Sequence, residues 1–388
     1  MSSLPGIEDA LLQVLAHVTP LGAEEVPVAD AAGRVLAEPA TAVGDLPPFD
    51  SSAMDGFAVR AADTPGALRV VGQSAAGSPF EGELGPGEAV TISTGAVVPE
   101  SADAVVPVER TTGEVTVEHV EPGENIRPTG GDIRTGEVVV EAGVVLRPAQ
   151  LGALAAAGVP VLRVARRPRA VVLPTGSELR PPGAALGPGE IYESNSVLLA
   201  AQLASAGAEV TVLPPVADDE DATRDALEHG LDSDVLVTSG GVSVGPHDLV
   251  RRLLAELGAR EVFWRVAVKP GKPVAYATRG ETLVFGLPGN PVSSLVGFEL
   301  FVRPALRALQ GARDPGPHWL PGRLSVALRR NDQRDQLVRA RRNSDLLEPI
   351  VGQESHMIAR SAAADALVLV PRGDGVLDEG AQVRWLQI

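Results

Sequence analysis

Asp234-Val-Leu-Val-Thr-Ser-Gly-Gly-Val-Ser-Val-Gly-Pro-His-Asp248, Val268-Lys-Pro-Gly-Lys-Pro273 and Val284-Phe-Gly-Leu-Pro-Gly-Asn-Pro-Val-Ser-Ser294 are short apolar runs that empty into glycine- or proline-rich turns. Two of the turns lead into helical spacing. An α/β sheet builds an anion site in this way at the carboxyl ends of its strands. Glycine lets the backbone approach a ligand, and the amides that open the next helix are expected to point at negative charge. The chain has 33 Lys plus Arg, yet its only lysines, Lys269 and Lys272, share one of these turns. A lysine is a compact point charge that enters a pocket too tight for a planar guanidinium. The competing explanation is two surface lysines that fall together by chance.

Outward from this stretch, strands and helices alternate from Ala170 to about Gly311. The expected strands are Ala170–Leu173, Glu209–Leu213, Asp234–Thr238 and three near 262–268, 273–277 and 282–286. The expected helices are Ser194–Ser205, Asp219–His229, His247–Leu257 and a long one from Pro291. This pattern predicts a doubly wound α/β domain with helices on both faces. Upstream, residues 7–18 have helical spacing, and Ala67–Gln73, Ala89–Ser93, Ala104–Val108, Glu114–Val120 and Glu137–Val145 read as short strands of an inserted β-domain. Arg147–Val159 returns to a helix and Val161–Ala165 to a strand. Downstream, Arg323–Leu328, Leu337–Ala340, Ala366–Val370 and Gln382–Leu386 predict a closing β-domain.

Composition narrows the chemistry. A formal charge of −17 argues against nucleic acid or an anionic membrane as partner, so an anionic ligand must be held by a few local cations. With no cysteine there is no disulfide, thiolate metal site or cysteine nucleophile. The six histidines are scattered. No secretory leader or apolar run of membrane-spanning length is found, which predicts a cytoplasmic protein.

Several turns carry chemistry-bearing residues, each with a plainer explanation. Ser51-Ser-Ala-Met-Asp-Gly56 is turn chemistry or a way to project Asp55 into a cleft. Asn125-Ile-Arg-Pro-Thr-Gly-Gly-Asp132 reads first as a hairpin loop, and Thr91-Ile-Ser-Thr-Gly95 as a strand end. Thr175-Gly-Ser-Glu-Leu179 follows the first α/β strand, where such sheets place chemistry. Before the next helix, Ser194 or Asn195 is a cap first and a ligand contact second. Asp218-Asp-Glu-Asp221 suits a helix N-terminus, while Asp218 also suits a metal. Gly241-Val-Ser-Val-Gly245 matches a serine-hydrolase elbow around Ser243, but Gly240, Gly241 and Pro246 loosen it, and Asp248 fits a metal–phosphate loop better. Neither lysine is followed by Ser or Thr, so there is no Walker loop.

In combination these segments resemble the molybdopterin molybdenumtransferase family, which includes the C-terminal domain of gephyrin. The resemblance rests on Ser-Ala-Met-Asp-Gly at 52–56, Thr-Gly-Ala at 94–96, Asn-Ile-Arg to Gly-Gly-Asp at 125–132, and Thr-Gly-Ser-Glu-Leu at 175–179. It continues through Ser-Gly-Gly-Val-Ser-Val-Gly at 239–245, Lys-Pro-Gly-Lys-Pro at 269–273 and Gly-Leu-Pro-Gly-Asn-Pro-Val-Ser at 286–293. It implies a multidomain α/β and β fold. An elongated N-terminal domain (1–45 and 140–165) would carry an inserted β-domain (46–139), followed by the α/β molybdopterin-binding domain (168–312) and a C-terminal β-domain (315–388).

The reaction implied is Mg²⁺-dependent insertion of molybdate into adenylylated molybdopterin with release of AMP, in a homodimer. Molybdopterin adenylyltransferase and molybdoenzymes are the implied protein partners. The resemblance places Asp55, Thr94, Asp132, Glu178, Asp218 and Asp248 in catalysis, with Asp218 and Asp248 holding the metal. It places Thr175, Gly176, Asn195, Ser239, Gly240, Gly241, Ser243, Gly245, Pro288, Gly289, Asn290 and Ser293 around the pterin substrate. Molybdate falls to Arg265, Lys269, Lys272 and Arg339. Gly131 stands where many relatives carry an acid, and Arg265 where they often carry lysine. A non-catalytic scaffold on the same fold, or a hydrolase using Ser243, are the alternatives.

Overall fold

The valine-rich runs beyond residue 168 form strands because successive side chains are buried on opposite faces of one sheet. In the computed structural model, which describes residues 4–113, 115–217, 219–241 and 249–388, the chain divides into two compact units. One unit is residues 1–24, 33–37 and 164–388, and the other is 25–32 and 38–163.

The first unit opens with helix α1 (Ile7–Leu15). Its Ile7, Ala10 and Val14 pack into the core of the α/β sheet, and the Val14 carbonyl accepts a bond of 3.3 Å from Tyr276 Oη. The helix expected in the elongated N-terminal piece therefore belongs to this unit. In the second unit, β1 (Gly56–Val59), β2 (Arg69–Ser74), β3 (Glu88–Ile92) and β4 (Ala104–Pro107) form a sheet in the order β2-β3-β1-β4. The central strand β1 was not among the expected strands, since its residues adjoin the Ser-Asp-Gly turn. Gly56 is required there, because a Cβ would meet the Val106 carbonyl oxygen at 2.0 Å. The run expected as a strand over Glu114–Val120 is reduced to Thr116–Val117 among its described residues. Helix α2 (Pro148–Ala156) starts on a proline, whose fixed φ suits a first turn.

The α/β portion follows as β5 (Arg169–Pro174), α3 (Asn195–Ser205), β6 (Glu209–Val212), α4 (Glu220–Gly230), β7 (Val235–Ser239) and α5 (Leu249–Glu256). It continues with β8 (Arg260–Trp264), β9 (Val268–Lys269), β10 (Ala275–Arg279) and β11 (Thr282–Leu287). The sheet order is β6-β5-β7-β11-β10-β8. The first four strands are parallel, and β10 and β8 complete the sheet antiparallel. Ala170, Val172, Val235 and Val237 face one core, while Val171, Leu173 and Leu236 face the other, as a period of two requires. Helices cover both faces.

The long helix expected from Pro291 is broken in register. It runs as α6 (Pro291–Gly297), a π-helical turn over Phe298–Val302, and α7 (Arg303–Leu309). Pro304 lacks an N–H, so the ordinary ladder cannot continue through it, and the wider turn absorbs the missing donor.

The last strands are β12 (Leu320–Leu324), β13 (Asp335–Asn343), β14 (Leu346–Pro349), β15 (Ala366–Val370) and β16 (Gln382–Gln387). They pair in the order β13-β14-β12-β16-β15, and β15 closes back on β13 to make a small barrel. Closure removes the exposed sheet edges. The short β9 adds to β13 in parallel, with Lys269 opposite Gln336. This pairing anchors the lysine turn to the barrel.

Candidate active site

β5 is the first strand of the sheet, and its neighbours β6 and β7 lie on opposite sides of it. Such a switch point leaves a crevice at the strands' carboxyl ends. Three turns are joined there. Thr175 N donates to Ser239 O at 2.9 Å, and Gly240 N to Leu287 O at 3.0 Å. Gly240 has φ +93, and a Cβ on it would lie 2.7 Å from the Thr175 carbonyl oxygen, so glycine is demanded by both conformation and space. Asn195, only 8% exposed, donates from Nδ2 to Ser239 Oγ at 2.7 Å and to Gly289 O at 2.8 Å. A carbonyl accepts only from the amide end, which fixes the orientation of this side chain. Asn195 therefore clasps the start of α3 to the ends of β7 and β11. Its helix is capped by the residue before Ser194: Glu193 accepts from Ser196 N at 2.9 Å and from Ser196 Oγ, whereas Ser194 makes no capping bond.

A cavity of about 620 Å³ opens above this knot, lined by Thr175, Glu178, Asn195, Ser239, Gly241, Pro288, Gly289 and Asn290. It contains most of the residues expected around the pterin substrate. Tyr192 and His356 also line it, and neither was expected.

Of the two helices expected to offer amides to an anion, the turn into α5 lies largely outside the described residues, and α6 has its first amides paired. At α3 the amide of Ser196, its second residue, donates to Glu193. At α6, Pro291 has no N–H, Val292 N donates to Ser355 O at 3.1 Å, and Ser293 N and Ser294 N donate to Asn290 O at 3.0 and 3.1 Å. Amides already paired within the protein cannot serve a ligand. Cationic side chains are a further source of anion binding.

Those side chains line a second cavity of about 640 Å³, which shares Pro273, Pro288, Asn290 and His356 with the first. Lys269 and Lys272 both reach it, as does Ser293. Arg265 lines neither cavity. Its guanidinium lies 3.8 Å from the centre of the Trp264 ring, with Arg251 at 4.0 Å from the same ring, so its charge is placed by stacking.

Arg339 also departs from expectation. It is fully buried and donates to Met357 O at 2.7 Å, Ser361 Oγ at 2.8 Å and Gly352 O at 2.6 Å. Burial pushes its guanidinium pKa down. Its two terminal nitrogens hold the loop that carries Ser355 and His356, and its buried Nε–H has no partner among the described residues.

The acids of the second unit form a recurring device. Asp55 Oδ1 accepts from Thr94 N at 2.6 Å and from Thr94 Oγ1 at 3.0 Å, and these bonds lower its pKa. Asp50 with Thr129 and Asp45 with Thr135 repeat the arrangement. The structure thus joins Asp55 to Thr94 directly. Asp132 donates its N–H to Leu46 O at 2.9 Å. Asp218, Ser243, Gly245 and Asp248 lie outside the described residues.

Three family profiles match the chain in order. They are the MoeA N-terminal region (domain I and II) over residues 6–158, a molybdopterin-binding domain of cofactor biosynthesis over 171–308, and the MoeA C-terminal region (domain IV) over 321–388. Molybdopterin molybdenumtransferase 2 of Mycobacterium tuberculosis is 42% identical over 311 residues, covering 76% of this chain and 77% of that protein. The chain belongs to the molybdopterin molybdenumtransferase family. The Bacillus subtilis member is 35% identical over 401 residues, covering 98% of this chain and 93% of its own. The solved structure of a molybdopterin biosynthesis MoeA protein from Pyrococcus horikosii superposes with a TM-score of 0.82 at 33% identity, covering 100% and 99% of the two chains. The protein is thus a transferase of molybdenum cofactor biosynthesis, with the multidomain α/β and β fold of that family.

Proposed function

We propose that the protein inserts molybdate into adenylylated molybdopterin and releases AMP, in a Mg²⁺-dependent reaction. The observation that carries this reading is the pair of adjoining cavities. One lies at the switch point and is walled by glycine and small polar groups, and the other is lined by the only two lysines of the chain. A bulky pterin with its pyrophosphate suits the first, and a small oxyanion suits the second. The shared wall of Pro273, Pro288, Asn290 and His356 would bring the two substrates together.

In this reading Asn195 keeps the pterin-binding turns in register, and Thr175, Ser239 and Gly241 contact the substrate. Lys269 and Lys272 hold molybdate as point charges, turned toward it by the β9–β13 pairing. Mg²⁺ takes few protein ligands, all oxygen. Among the described residues no three His, Asp or Glu side chains cluster as a metal site, but Glu178 offers a carboxylate at the crevice. The donor chemistry fits, with Asp218 and Asp248 as the proposed ligands. When bound, the ion would polarise the pyrophosphate as a Lewis acid. Asp55, Thr94 and Asp132 are proposed to act in a homodimer, and the division into four domains is kept as part of the same proposal. Molybdopterin adenylyltransferase would supply the substrate and molybdoenzymes would receive the product, in the cytoplasm.

The test is to incubate purified protein with adenylylated molybdopterin, Mg²⁺ and molybdate and to follow AMP. Molybdate-dependent release of AMP is expected. Tight pterin binding with no AMP would leave a binding protein and end the catalytic reading. Sedimentation should show a dimer, and a fully active monomer would end that part of it.

A further inference from the structure

The lysine-lined cavity has more positive charge than one oxyanion needs. Its barrel wall carries Arg329 and Arg334 as well, and among the described residues Glu354 is its only lining carboxylate. Several other arginines of this acidic chain pair with carboxylates, as Arg166 does with Asp234, Arg252 with Glu220 and Arg303 with Glu299. Among the described residues neither Arg329, Arg334, Lys269 nor Lys272 has an ion-pair partner. In a chain of 50 acids against 33 Lys plus Arg, this cavity gathers four cations and one carboxylate among the described residues.

The two arginines are held in place by the turn that carries them. Gln336 Nε2 donates to Arg329 O at 3.0 Å. Asn331 Oδ1 accepts from Arg334 N at 2.8 Å and from Gln333 N at 3.1 Å. Between them, Arg330 spans to Pro371 O at 3.0 Å and Arg372 O at 2.6 Å. Lys269 stands opposite Gln336 across the β9–β13 pairing, so the lysine turn and the arginine turn face one space. The volume points the same way. A water's share of liquid is roughly 30 Å³, so an anion of four oxygens displaces only a few waters from about 640 Å³.

We propose that Arg329 and Arg334 form a phosphate subsite at the barrel wall of this cavity, beside the oxyanion held by the lysines. The assignment follows from the two side-chain types. A guanidinium offers a planar fork that matches a phosphate edge with two bonds, whereas an ammonium acts as a point charge on a compact tetrahedral anion. The proposal deepens the reading of the lysine cavity as the molybdate site and rests on it for the neighbouring occupant. The phosphoryl group belongs either to the pterin substrate or to the released AMP.

The experiment is equilibrium dialysis of the full chain with inorganic phosphate, with molybdate, and with both. Wild type should bind the two anions at once. Arg329→Gln/Arg334→Gln should weaken phosphate on the order of 10- to 100-fold, the scale of a lost charge-assisted bond, and leave molybdate within about threefold. Lys269→Gln/Lys272→Gln should do the reverse. Arg334→Lys keeps the charge without the fork and should still lose phosphate affinity, which separates recognition from mere charge. An unchanged thermal midpoint establishes that the variants fold. If molybdate displaces phosphate one for one from wild type, or the arginine variants keep phosphate, the subsite is refuted. If wild type binds phosphate through the arginines but binds no molybdate, the subsite stands and the molybdate reading fails. AMP that competes with phosphate assigns the subsite to the leaving nucleotide, and AMP without effect assigns it to the pterin side.

Discussion

The two cavities share a wall but are built on opposite terms. Around the switch point, Thr175 bonds to Ser239, Asn195 to Ser239 and Gly289, and Gly240 to Leu287, so shape is fixed before a ligand arrives. Around the lysine turn, four cations gather, with no ion-pair partner among the described residues. The first region is a mould, and the second is an unneutralised charge. A mould should answer to changes in packing and hydrogen bonding. A charge site should answer to changes in charge and ionic strength.

Arg339 tests how far the charge site depends on scaffolding. Arg339→Ala removes the donor to two carbonyls and a hydroxyl in the loop that carries His356. The expected loss is about 3 kcal/mol, because buried acceptors are left unpaired. A calorimetric midpoint close to wild type would show that the loop holds without it.

Lys269→Ala or Lys272→Ala comes next. Each should raise the molybdate needed for half-maximal turnover on the order of 10- to 100-fold, with little change in thermal stability. Lys→Arg should rescue poorly, since the guanidinium is larger and planar. Acetylation of these amines with and without molybdate provides an independent check, and equal labelling would place the oxyanion elsewhere.

Asn195→Ala addresses the mould. Two hydrogen bonds that join three turns are lost, at a cost of about 1–2 kcal/mol. The affinity for the pterin substrate should fall while molybdate dependence stays put. If both fall together, the two cavities are one site and the comparison fails.

The smallest effect concerns the acids of the second unit, which serve as a reference. Asp45, Asp50 and Asp55 each accept two bonds from a threonine, first from its backbone N–H and then from its hydroxyl, and each pKa is lowered. A depressed folded pKa stabilises the protein above the unfolded value, about 3.9, and that stability is lost as pH falls through the folded value. NMR titration should place all three midpoints below that of a free aspartate. Thr94→Val removes the hydroxyl donor and keeps the backbone one, so Asp55 alone should move partway back.

The α/β portion was legible because its physics is local. The expected Ala170–Leu173, Glu209–Leu213 and Asp234–Thr238 match strands Arg169–Pro174, Glu209–Val212 and Val235–Ser239 to within about one residue at each end, since β-branched runs between turn residues have little alternative. The central strand Gly56–Val59 was not legible. Its glycine serves a close approach to the Val106 carbonyl from a strand about 50 residues away in sequence. The lysine turn announced itself by composition, and the knot of Thr175, Asn195, Ser239 and Gly289 by its motifs. Arg329, Arg334 and His356 gave no such signal, because in this sequence an arginine is commonplace and a single histidine has no period.

What the sequence determined by itself was the order of elements and the family, and it pointed to the strand ends as the proposed place of chemistry. Each follows from short-range periodicity and from glycine and proline, whose backbone limits hold in any context. Tertiary structure decided which polar groups are free to act. It spent the Ser196 amide of α3 on Glu193 and the first amides of α6 on Ser355 and Asn290, sank Arg339 into a loop, and stacked Arg265 on Trp264. It also brought a barrel turn beside the lysines. A residue's charge is written in the sequence, but its availability depends on partners that only the folded chain supplies.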